Sequence, residues 1–90
     1  TPTFDLSLGG VQKILLTGNV TSSTVTNLYE GAKVTFIIIQ DGTGGHTFAW
    51  PTNVFAEMTI GSAANEISIQ QFISPDGEDL VAESLGTTYV

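Results

Sequence analysis

Turn chemistry recurs along this chain about every ten residues, and that spacing limits it to short extended segments. Gly9-Gly10, Gly18-Asn19, Tyr29-Glu30-Gly31, the loop from Asp41 to Gly45, and Pro75-Asp76-Gly77 all carry residues that supply or preset the backbone angles of a turn. Between these breaks the hydrophobic period is two. Phe4, Leu6 and Leu8 share one face of an N-terminal run, with Thr3, Asp5 and Ser7 on the other. A second run, Gln12 to Thr17, places Ile14 and Leu16 together. Val20 to Leu28, mostly Thr, Ser and Val, reads as one strand or two short ones on a partly wet face.

The clearest strand is Lys33 to Gln40, where Val34, Phe36 and Ile38 face one way and Thr35, Ile37 and Ile39 the other. Apolar residues on both faces of its second half predict a central strand covered on both sides. His46 to Trp50 reads as a short strand with Phe48 and Trp50 on one face, stopped by Pro51, which has no amide to donate. Another short strand is expected over Ala56 to Ile60. Glu66 to Ile73 alternates through Ile67 and Ile69 while Phe72 falls out of phase, which predicts a bulge near Gln70-Gln71. Asp79 to Leu85 and Thr87 to Val90 complete a set of about seven to nine short strands with no amphipathic helix. The expected fold is therefore all-β, an antiparallel β-sandwich of jelly-roll type. Its expected core is Phe36, Ile38, Phe48, Trp50, Ile67, Ile69 and Phe72. No linker or internal repeat interrupts residues 1–90, which read as a single domain.

Charge narrows the partners. Only 12% of residues are charged, and nine acidic residues against two basic ones leave a net charge of −7. Lys13 and Lys33 are too few to replace the counterions of a phosphate backbone, so nucleic acid is not an expected partner. The longest apolar run, Phe36 to Ile39, is far shorter than a membrane helix requires, so no membrane insertion is expected. The absence of Cys removes disulfides and thiolate metal sites. A surface so poor in Lys and Glu also lacks the usual defences against strand-to-strand association, which predicts a homo-oligomer.

The segment GNVTSSTVTNLYEGAKVTFIIIQDGTGGHTFAWPTNV, Gly18 to Val54, resembles a small β module of bacteriophage tail-fibre and other virion-surface proteins. QDGTGGHTFAWPTNV, Gln40 to Val54, is its most recognisable part. The similarity continues through Met58-Thr59-Ile60-Gly61, Gln71-Phe72 and Asp76-Gly77. Members often carry a Cys just before the Gln; Ile39 stands there in this chain, which removes any redox or cross-linking role. The resemblance implies a non-enzymatic, trimer-forming or stacking domain at the virion surface, acting in assembly or host attachment beside other virion structural proteins. Capsid decoration, a secreted extracellular filament built by strand addition, and a carbohydrate-binding module remain as alternatives.

Candidate chemistry is sparse. The single His46 has no Cys to pair with, and Ser22, Ser23 and Ser74 lie in no nucleophile elbow, so an enzyme is not expected. Asp76, Glu78 and Asp79 cluster around Gly77 without the spacing of a calcium loop and read as a solvated turn; no metal and no cofactor are expected. A cell-surface glycan is the one small ligand the residues suit. Trp50, His46, Asp41 and Asn53 are its candidate contacts, with Tyr29 and Tyr89 next, although alternation with Phe48 favours burying Trp50. Phe4, Leu6 and Leu8 form the candidate assembly strand, free to complete a neighbour's sheet because the rest of the chain already suffices for a sandwich.

Overall fold

A computed structural model describes residues 2–90; Thr1, the first residue of the N-terminal run, lies outside the described residues. Eight strands and one 3-10 turn follow in order: β1 (Thr3–Asp5), the turn (Leu6–Leu8), β2 (Val11–Leu16), β3 (Thr24–Thr26), β4 (Lys33–Gln40), β5 (Val54–Phe55), β6 (Ile67–Ile73), β7 (Leu80–Ala82) and β8 (Thr87–Tyr89). The larger sheet runs β2-β4-β6-β7-β5, with β8 also alongside β6, and β1 pairs with β3 in a small second sheet. An isolated parallel bridge also joins Val20 to Phe48. The fold is an all-β sandwich.

Its ladders are mixed rather than antiparallel throughout. β4–β6, β6–β7 and β6–β8 are antiparallel, whereas β1–β3, β2–β4 and β5–β7 are parallel. The cause is a repeated path. The chain lays one strand in the small sheet and one in the large sheet, β1 then β2, and repeats this with β3 then β4, each copy alongside its predecessor. Parallel pairing requires such a crossover, which a hairpin cannot supply.

The core lies between the layers. Phe4 from β1, Leu6 from the turn, Val34 and Phe36 from β4, Phe72 from β6 and Leu80 from β7 are buried together, with Phe48 and Trp50 packed against them. Phe36 is the hub, meeting Phe4, Trp50 and Phe72 edge-on at ring-centroid distances of 5.0, 5.3 and 5.5 Å. Such edge-to-face contacts align ring edges with the negative faces of their neighbours.

Several expectations are corrected by this packing. The N-terminal strand ends at Asp5, whose carboxylate accepts from the Ser7 amide at 2.9 Å and caps the 3-10 turn. That turn drives Leu6 inward and leaves Leu8 84% exposed. β1 pairs with β3, and both Phe4 and Leu6 lie in the chain's own core. In β6 there is no bulge: its register with β4 is unbroken from Ile67 to Ile73. Ser68, Gln70 and Phe72 therefore face inward, and Ile67 and Ile69 face outward, outside the core. β4 is central in its sheet, but only one of its faces is covered by other strands, since Phe4 brings the small sheet onto the Phe36 side. Finally, His46 to Trp50 forms only the single bridge at Phe48, and Ala56 to Ile60 forms no strand.

Candidate functional site

Between β4 and β6 only Val54–Phe55 joins the large sheet, and the irregular segments on either side of it are held by inward side chains of that sheet instead. Gln40, 1% exposed at the end of β4, donates from Nε2 to the carbonyls of His46 (2.8 Å) and Gly61 (3.0 Å) and accepts from the His46 amide at 3.1 Å. Ser68 Oγ accepts from the Gly61 amide at 2.8 Å. Gln70 Oε1 accepts from the Met58 amide at 2.7 Å, while its Nε2 donates to the Ser84 carbonyl at 2.8 Å and the Ala56 carbonyl at 3.3 Å. These side chains take the place of a neighbouring strand. Among the described residues no buried side-chain nitrogen or oxygen lacks a partner, which is what makes so polar an interior tolerable.

Asp41 organises the corner after β4. Its Oδ1 accepts from the amides of Thr43 (3.0 Å) and Gly44 (3.1 Å) and lies 3.0 Å from His46 Nε2. The Gly44 amide above all, then those of Thr43 and the His46 side chain, hold the Asp41 carboxyl below its ordinary value against a smaller opposing desolvation. Gly44 is buried at φ +71°, and a Cβ there would stand 2.6 Å from the Ala64 nitrogen. Only glycine permits this approach of the 41–45 loop to the 62–65 loop.

Between the two pinned segments lies an open cleft of about 560 Å³. One wall is Gly45, His46, Thr47, Phe48 and Trp50, and the other is Glu57, Met58, Thr59, Ile60 and Ser62. Trp50 spans core and cleft: its indole N–H donates to the Met58 carbonyl at 3.0 Å, tying the walls together, and its ring packs on Phe36 and Phe48. The predicted glycan contacts are thus brought together in part. Trp50 and His46 line the cleft and Asp41 stands behind His46, whereas Asn53 ties the β5 turn to the 76–79 turn through a 2.7 Å bond from its side chain to the Glu78 carbonyl. Tyr29 and Tyr89 are exposed elsewhere. Glu57, Thr59 and Ser62 were not legible as cleft residues, because no periodic pattern marks a segment held by another strand's side chains.

Chemically the cleft offers aromatic and thioether surface flanked by one carboxylate, one imidazole and several hydroxyls. Among the described residues no three His, Asp or Glu side chains converge as a metal site would require. No helix among them is long and apolar enough to cross a membrane.

The chain is thus a β-sandwich whose irregular loops are locked around an open cleft. Residues 1–79 match the model of a family described as "Putative phage tail fibre C-terminal domain", and the chain belongs to that family. It is a tail-fibre structural module, and its location is with the virion. No curated protein and no solved structure matches the chain.

Proposed function

We propose that this module acts at the virion surface without catalysing a reaction, self-associating as a trimer and presenting the His46–Trp50–Glu57 cleft to a host-surface glycan. Membership in the tail-fibre family is the observation that carries this reading, and it favours a fibre over capsid decoration or a secreted filament. The cleft's chemistry supports the ligand class. A sugar ring offers apolar C–H faces to Trp50, Phe48 and Met58, and hydroxyls to Glu57, Thr47 and Ser62.

Binding of the purified chain to host cells and to an array of surface glycans tests the proposal. Glu57→Gln keeps the shape of the wall and removes an exposed carboxylate, so it should lower glycan binding severalfold at unchanged melting temperature. Trp50→Ala is less suitable, since it also removes core contacts. Absence of binding to any cell or glycan overturns the adhesive part of the proposal.

A further inference from the structure

The outward face of the large sheet carries a pattern that neither the family match nor the cleft explains. Register aligns Leu15, Ile39, Ile67 and Tyr89 in one row across β2, β4, β6 and β8. The next row is Lys13, Ile37, Ile69 and Thr87. None of these apolar side chains belongs to the core; Leu15 is 57% and Tyr89 53% exposed. The two rows, of four positions each, cover ~260 Å² at the usual strand spacing and rise, and all their positions but Lys13 and Thr87 are apolar or aromatic.

Charge on this face is also segregated. By the alternation of β2 and β4, both lysines of the chain, Lys13 and Lys33, point to it, and no carboxylate interrupts the two rows. Asp41 continues the outward phase beyond Ile39 at one end of the rows, and at the side Glu83 is the next outward position of the chain after Val81 of β7, its amide bonding the Gln71 carbonyl at 2.8 Å. Lys13 therefore lies on the β2 edge of the face and Glu83 on the β7 side, beyond Leu80 and Val81 where β5 covers β7, about one row apart. Rotation about an axis parallel to the strands preserves height along the strands. A ring of copies closed about such an axis brings the β2 edge of each copy beside the β7–β8 edge of the next, with Lys13 within side-chain reach of Glu83. Cyclic contacts are heterologous in this way, joining two different edges of one surface.

We infer that this face is the contact surface between copies of the chain, its apolar rows converging on the symmetry axis and Lys13 pairing with Glu83 of the next copy. The inference rests on the self-association proposed above and names the surface that performs it. Sedimentation and native mass spectrometry of the full chain test both. The native chain should associate. Ile69→Lys should be folded, by its circular dichroism and cooperative melting, yet associate at least tenfold more weakly; Leu15→Lys, at a more exposed position, should repeat this if Ile69→Lys folds poorly. Lys13→Glu and Glu83→Lys should each weaken association severalfold, and the double exchange should recover it. A native chain that stays monomeric at high concentration overturns self-association and this surface together. A chain that associates, but does so unchanged in Ile69→Lys and Leu15→Lys, overturns the surface alone.

Discussion

Phe36 and Gln70 face the same interior and stabilise it by opposite chemistry. Phe36 is fully buried among three aromatic rings, and Phe36→Ala should cost about 3–5 kcal/mol through lost transfer energy and the cavity left behind, as denaturant titration would show. Gln70 has every bond made, so Gln70→Leu, which keeps the length and adds hydrophobicity, should still destabilise. It removes the partners of the Met58 amide and the Ser84 carbonyl, both only partly shielded from water, at a cost of roughly 0.5–1.5 kcal/mol for each bond lost. The alternation of Val34, Phe36 and Ile38 made Phe36 legible in the sequence. Gln70 was not legible, because period-2 reading assigns the inward phase to the most apolar residues, and in β6 the isoleucines hold the other phase. A pH dependence also belongs at this scale. Asp5, held low first by the Ser7 hydroxyl, Asp41, held low by the Gly44 amide, and Asp76, held low by the Glu78 amide, all have folded values below the ordinary 3.8. Depressed carboxylates add stability that is whole above the unfolded value and is lost as pH falls through the lower folded values. The melting temperature should therefore be level down to about pH 5 and fall below pH 4. Asp41→Asn, which removes the charge but can keep part of the hydrogen bonding, should shrink that fall.

At the scale of elements, the long alternating strands were legible, whereas the two-residue β5 and the irregular segments around it were not. Lys33 to Gln40 coincides with β4 because its apolar residues alternate without interruption. Ala56 to Ile60 looked like a strand in composition, yet its backbone partners are the side chains of Gln70 and Trp50, which no local pattern announces. The N-terminal run failed at Asp5 for a local reason: a carboxylate able to accept from Ser7 favours a capped turn over continued extension. The corner between β4 and the cleft gives the prediction at this scale. A methyl group on Gly44 would meet the backbone of Ala64 and Ser62 and would sit at a positive φ. Gly44→Ala should cost about 1–3 kcal/mol. It should also speed hydrogen exchange at the Gly45 and Asn65 amides, which bond the Ser62 and Asp41 carbonyls across the corner, while amides in the middle of β4 keep their protection. Uniform loss of protection throughout the sheet would show that the corner is not a separate unit.

For the whole molecule, the small number of charges and their sign bear on the self-association proposed above. A net charge of −7 on a body of 37 × 25 × 20 Å opposes its own association. Two such charges with centres ~25 Å apart repel by ~8 kcal/mol in unscreened water. At 0.01 M salt, where the screening length is about 30 Å, roughly half of that survives, whereas at 0.1 M, with a length near 10 Å, less than ~1 kcal/mol does. Against this, the exposed Lys13–Glu83 pair is worth ~1 kcal/mol or less, and salt weakens it too. At low salt the overall repulsion outweighs that attraction, and burial of the Leu15, Ile37, Ile39, Ile67 and Ile69 side chains is nearly independent of screening. Association should therefore strengthen at least tenfold between 0.01 and 0.1 M salt, and the melting temperature should rise with protein concentration more steeply at the higher salt. Association that weakens over this range would mean that pairs between opposite charges hold the copies together, and that the apolar rows of the sheet do not.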